Sequence, residues 1–231
     1  MGENATASVL DDVRSALGRT ETVRPQMIPE FVDPTKWSAD VSLVEQFTAE
    51  ATAVGAKVTI VTARELIADR VIEICRGAGA TQVALSGSEF LSQCSLKGHL
   101  EQSGFAATSV SSFGDRKKEV LIAHLASREV GVTTVAYAIA ETGTIAITSD
   151  EDQALLVSLL PPIHIAIVES SQIKQSLTTV LSDLARESIG REGPCRSATF
   201  ITGPSRTADV ELTLTIGVHG PKELHLIVLA E

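Results

Sequence analysis

Between Val44 and Ser127 the chain switches repeatedly between a helical period and short aliphatic runs, and few folds accommodate that alternation. Val44, Phe47, Ala51 and Val54 recur at helical spacing, and Gly55 closes that stretch. A strand comes next over 57–61. Thr62 and Glu65 read as a T-x-x-E capping box ahead of a second helix, whose apolar face is Leu66, Ile67, Val71 and Ile74. Gly77 and Gly79 stop it. A short strand is expected over 82–85. Ser88 then caps a helix to about Gln102, with Gly104 as its terminal glycine. A strand over 105–110 and a helix from Asp115 to about Ser127 complete the half. Helices inserted between strands imply a parallel sheet with crossover connections. Aromatic residues make up only 3% of the chain, so the core is aliphatic, as suits strands buried on both faces.

The second half opens differently. Alternating runs over 137–141 and 144–148 flank Thr142-Gly143 and read as a β-hairpin. Ser149 or Asp150 caps a short helix to Leu160, which Pro161-Pro162 cannot continue. A buried strand over 163–168 comes next. Ser170 or Ser171 then caps a long helix carrying Ile173, Leu177, Val180 and Leu184, ended by Gly190. A polar loop over 187–196 leads to a strand over 199–202, and the last strand is expected over 223–229. Before all of this, a short helix over 6–17 and a stretch to Asp40 with Pro25, Pro29 and Pro34 read as an N-terminal arm. The expected division is therefore 1–40 as helix and Pro-rich arm, and 41–231 as one α/β domain.

A net charge of −10 argues against nucleic acid as the main partner and against an anionic membrane surface. No apolar run reaches membrane-spanning length, so no membrane insertion is expected. Cys75, Cys94 and Cys195 are far apart and include no C-x-x-C pair. That spacing offers neither a zinc site nor an iron–sulfur cluster, and a reduced cytoplasmic setting is the simple reading. No metal and no cofactor is expected in this chain.

Polar groups concentrate in one segment, Ile201 to Glu211 continuing to Lys222. Gly203-Pro-Ser-Arg-Thr-Ala-Asp209 comes after a strand, and in open α/β sheets ligands sit outside the carboxyl ends of strands. Gly203, Ser205 and Thr207 offer backbone and hydroxyl donors there, and Arg206 can grip a carboxylate or phosphate with two parallel N–H groups. Asp209, Glu211 and Lys222 join the candidate ligand-binding set. A structural turn in which Arg206 pairs with Asp209 or Glu211 accounts for the same residues. The loop has neither Walker spacing nor the second glycine of a nucleophile elbow. At the hairpin tip, Glu141 is a candidate base or nucleophile beside Thr142, Gly143 and Thr144, and equally a solvated turn residue. His164 lies in an apolar strand, where a hydrogen-bonded core role competes with catalysis. His219 lies in a glycine-flanked turn and is the better placed of the two to face a pocket.

Three blocks, Tyr137-Ala-Ile-Ala-Glu-Thr-Gly-Thr144, Ser158-Leu-Leu-Pro-Pro-Ile-His164 and Thr202 to His225 with its Gly-Pro-Ser-Arg-Thr-Ala-Asp core, stand in this order. On these blocks the chain from about Val41 resembles the LUD domain family. The resemblance implies a three-layer α/β sandwich with a mainly parallel sheet, of the type shared by glucosamine-phosphate deaminases, ribose-phosphate isomerases and CoA transferases (NagB/RpiA/CoA transferase-like). It also implies a non-redox part in bacterial oxidation of L-lactate to pyruvate, beside iron–sulfur partner subunits, with a small anionic ligand. The alternative is a stand-alone enzyme on a small carboxylate or phosphorylated substrate. In a single-site arrangement Arg206 and the N–H groups of Gly203 and Ser205 hold a carboxylate, His164 and His219 contact its oxygen substituent, and Glu141 orients one of them.

Overall fold

The computed structural model describes residues 15–16, 41–113, 118–148, 154–190, 197–208 and 214–230. By contacts the chain divides into Met1–Trp37 and Ser38–Glu231. The expected N-terminal helix and Pro-rich arm lie outside the described residues, apart from Ser15 and Ala16.

In the larger unit the first helix, α1, is Leu43–Ala53, succeeded by strand β1, Lys57–Val61, and helix α2, Leu66–Gly77. Then come β2, Gln82–Leu85; α3, Glu89–Gln93; α4, Leu96–Gln102; and β3, Ala106–Ser109. Helix α5, Lys118–Ala126, leads to β4, Val130–Thr134. The hairpin strands are β5, Tyr137–Ile139, and β6, Thr144–Thr148. They precede α6, Ala154–Leu159; β7, Ile163–Glu169; β8, Ile173–Lys174; and α7, Leu177–Gly190. The chain continues through β9, Ala198–Ile201; β10, Arg206–Ala208; β11, Leu214–Ile216; and β12, Glu223–Leu229.

Six strands form one parallel sheet in the order β1-β12-β7-β4-β2-β3. The last strand is thus inserted between the first and the seventh, with Lys57 opposite His225 and Leu224 opposite His164. A second sheet, β8-β5-β6-β9, is mostly antiparallel. Side chains alternate across the large sheet and so divide the core. Val83, Leu85, Val132, Ile165 and Ile227 face α2, α3 and α4. Ala166, Val168, Leu226 and Val228 face the opposite way, against Phe47 and Ala51 of α1 and Ala138 and Ile145 of the hairpin. On that same face Ala84 meets α5 and α6 through Leu121, Leu125 and Val157. Helix α7 covers the outer face of the small sheet through Val180 and Leu184. The result is the expected three-layer α/β sandwich with a mainly parallel central sheet.

Several local expectations are corrected. The capping box is at α1, where Glu45 N–H donates to Ser42 Oγ at 3.2 Å and the Glu45 carboxylate accepts from Ser42 N–H at 3.1 Å. Helix α2, expected to have one, opens at Glu65 with no side-chain cap. The helix expected over 88–102 breaks in two at Ser95, which has φ 49°. Strand β4 interrupts its own pattern with Gly131. A Cβ there would lie 2.1 Å from the Val157 carbonyl oxygen, so close helix packing requires glycine and hides the strand. Ile173 is not helical. It pairs with Ala138 as β8, after a 3-10 turn over Ser170–Gln172, and α7 starts at Leu177 behind Ser176. Pairing with β5 outweighs the local helical pattern. The polar loop after Gly203 is partly a hairpin, β10 on β11. The expected caps at Ser149 and Asp150 lie outside the described residues.

Candidate functional site

The carboxyl-terminal end of α1 organises the polar segment. Gly55, at φ 96°, ends the helix, and the Val54 carbonyl left exposed accepts a hydrogen bond from Arg206 Nη2 at 2.9 Å. Arg206 therefore caps the negative end of a helix dipole. Gly203, at φ 77°, packs so tightly on the same carbonyl that a Cβ would lie 2.6 Å from it. The hairpin tip also packs against α1. Gly143, at φ 61°, would place a Cβ 2.1 Å from the Ala51 nitrogen. Thr144 Oγ1 stands 2.7 Å from both Thr142 Oγ1 and Thr202 Oγ1, so a chain of three hydroxyls links the hairpin tip to the Gly203 loop.

The third block is tied to the second through backbone. Lys222 N–H donates to the Pro162 carbonyl at 2.8 Å, and Ser205 N–H donates to the Pro221 carbonyl at 2.9 Å. The Ser205 amide is thereby spent on the protein and does not hold an anion, contrary to the sequence expectation. The Lys222 stem lies over Gly217, whose φ is 81°.

These contacts leave a cleft of about 260 Å³ lined by Gly55, Lys57, Pro204, Arg206, Lys222, Glu223 and Leu224. Three cations face one carboxylate there, in a chain whose net charge is −10. Glu223 Oε2 accepts from Lys57 Nζ at 2.6 Å and meets His225 Nε2 at 3.1 Å. The hydrogen bond from Lys57, then that from His225, holds the Glu223 carboxyl below its usual range. Burial lowers His225, against the opposing pull of Glu223. Lys57 and Glu223 carry no local signal in the sequence. They meet only because β1 and β12, distant in the chain, start side by side.

The cleft is at the amino edge of the parallel sheet, because Lys57 opens β1 and Glu223 opens β12. The Gly203 loop leaves β9, an outer strand of the second sheet. Its expected place at the carboxyl end of a parallel strand is corrected accordingly. Among the other candidates, His164 is 1% exposed, with Nε2 2.8 Å from Thr133 Oγ1 and Nδ1 without a partner. Burial pushes its pKa down to about 3, so it is a neutral core residue, and it does not line the cleft. His219 is exposed in the turn before Pro221, and Glu141 is half-buried at the hairpin tip with its N–H donating to the Gln175 carbonyl. Neither lines the cleft. Asp209 and Glu211 lie outside the described residues, and of Thr207 only the β10 backbone is described. Among the described residues, no three His, Cys, Asp or Glu side chains converge on a metal position, and no helix is long and apolar enough to cross a membrane.

The sequence pattern of the LUD domain matches residues 44–229. Lactate utilization protein C of Bacillus pumilus is 32% identical over 130 residues, 56% of this chain and 53% of the relative. The match thus spans about half the length of that curated relative. Lactate utilization protein C 1 of Bacillus mycoides is 27% identical over 87% of this chain and 89% of its own length. The solved structure of a DUF162 family protein from Deinococcus radiodurans shares the fold, with a TM-score of 0.55 at 22% identity, over 81% of this chain and 96% of that one.

Proposed function

Because the chain belongs to the LUD domain family, we propose that it works in lactate utilization as a non-redox component that binds a small carboxylate in the cleft at the end of α1. Relatives named for lactate utilization support the biological setting. The observation that carries the binding role is the convergence of Arg206, Lys57 and Lys222 around one carboxylate, Glu223, in an acidic chain.

Arg206 has five N–H donors, and its bond to Val54 fixes the guanidinium while using one of them. A ligand carboxylate takes two of the others side by side. Lys222 supplies a second charge. Lys57 is shared with Glu223, so an incoming anion competes with an internal carboxylate, which sets a threshold for binding. Removal of hydride from a 2-hydroxy acid needs an electron acceptor. In this reading the electrons pass to iron–sulfur partner proteins, and the chain holds or presents the acid. The stand-alone enzyme has no comparable support, since Glu141, His164 and His219 are not gathered with Arg206 in one cleft.

The test is a thermal-shift titration of the purified chain with L-lactate, pyruvate, sugar phosphates and CoA esters. A carboxylate present at about 100 times its Kd adds about 2.7 kcal/mol. That shift is expected with lactate or pyruvate and is expected to vanish in Arg206→Ala. Titrations flat with every carboxylate, or unchanged in Arg206→Ala, overturn the binding role.

A further inference from the structure

Behind the cleft stands a group whose charge depends on what fills it. Glu223 Oε2 is shared by two donors, Lys57 Nζ at 2.6 Å and His225 Nε2 at 3.1 Å. An ionised carboxylate only accepts, so in a neutral His225 it is Nε2 that carries the proton, and a further proton goes to Nδ1. Lys57, His225 and Ile165 are neighbours in register across β1, β12 and β7. Lys57 is therefore at once the rival of His225 for Glu223 and the cation beside it.

Few other charges bear on His225, whose side chain is 12% exposed. Glu223 strengthens its hold on a proton and Lys57 weakens it. Its β7 neighbour, Ile165, is apolar. Helix α2 packs on that face of the sheet through Ile67, Val71 and Cys75, whose thiol burial pushes up to about 12 and so keeps neutral. The charged residues of α2, Asp69, Arg70, Glu73 and Arg76, are exposed. From the far wall of the cleft come Arg206 and Lys222.

Building on the carboxylate-binding role, we propose that His225 is a positioning residue of this cleft and takes up a proton when a carboxylate enters. An anion beside Lys57 draws the ammonium toward itself and loosens its bond to Glu223. Two carboxylates then share the cations that one had before. A proton from solvent on Nδ1 makes His225 a cation at the oxygen that Lys57 has partly released. Glu223 stays compensated, and Lys57 turns to the ligand. The cleft thus takes an anion together with a proton. The coupling is reciprocal, so a proton tightens the ligand as much as the ligand tightens the proton. Burial holds the empty-cleft pKa of His225 below the ordinary 6.5, and the incoming anion raises it. Binding therefore strengthens as pH falls through the interval between the two values.

The experiment is calorimetric titration of the whole chain with L-lactate and pyruvate at pH 6 and at pH 8, in buffers of different ionisation enthalpy, which counts the protons taken up with each ligand. The wild type is expected to take up a sizeable fraction of a proton at pH 6 and to bind about threefold or more tightly there than at pH 8. His225→Gln, whose amide still donates to Glu223, is expected to bind without uptake and equally well at both pH values. His219→Gln, in the exposed turn outside the cleft, is expected to keep the uptake of the wild type. The ring signals of His225 in the wild type, followed by NMR, are expected to titrate at higher pH with ligand than without it, a readout that holds even where His225→Gln does not fold. Binding without proton uptake, uptake that persists in His225→Gln, or a His225 ring that titrates at the same pH with and without ligand overturns the coupling and leaves the carboxylate-binding role standing. Absence of binding by either acid at both pH values overturns both.

Discussion

At the scale of single residues, burial decides what a polar group does. His164 belongs to a block whose family resemblance suggests chemistry, yet it is sealed beneath α6 with a threonine for company. Its pKa is pushed down to about 3 by burial from an ordinary 6.5. The unfolded chain therefore binds a proton that the folded chain refuses between those values. Stability is full above about pH 6.5 and is lost as pH falls toward 3. At pH 5 the loss from this residue is about 2 kcal/mol. Chemical denaturation at pH 8 and at pH 5 is expected to show that difference in the wild type and a flatter profile in His164→Gln. Part of the slope will remain, since His124 and His225 are also lowered by burial. Equal slopes in the two proteins would remove His164 from the account. Residue identity alone flagged His164 but could not assign its role, because both uses of a histidine in an apolar strand look the same in sequence.

At the scale of elements, helices and strands with strong local signals were legible: α1 with its terminal Gly55, β1, β2, β7 and β12 stand where their patterns put them. The failures share one cause, a tertiary partner overriding a local pattern. Ile173 went to β5, and Gly131 yielded its Cβ to α6. The site suffers similarly, since Arg206 and Lys222 are visible in sequence whereas Lys57 and Glu223 become neighbours only through strand pairing. The packing of the hairpin on α1 can be tested by substitution. Gly143→Ala combines a positive φ with a clash against the Ala51 backbone, and is expected to cost about 3 kcal/mol or more. Gly104→Ala, also at positive φ but with open space around its Cβ position, is expected to cost about 1 kcal/mol. Similar losses of Tm in both variants would mean that the hairpin tip does not bear on α1.

At the scale of the whole molecule, the alternation of helix and strand was enough to announce a parallel sheet, but not its strand order, which depends on pairings across the full chain. Protection in that sheet is expected to fall from the middle outward. Amide exchange should be slowest in β7 and β12, whose residues from Leu226 to Leu229 are at most 1% exposed, and faster in the edge strands β1 and β3. Uniform exchange across the sheet would contradict that order. The position of β12 also governs how the protein can be made. During synthesis β1 emerges early and must wait, its pairing edge unfilled, while most of the domain is translated behind it. Only when residues 223–229 leave the ribosome can they slide between β1 and β7 and shut the sheet. Until then the chain carries two raw strand edges, and a chaperone has something to protect until β12 is seated.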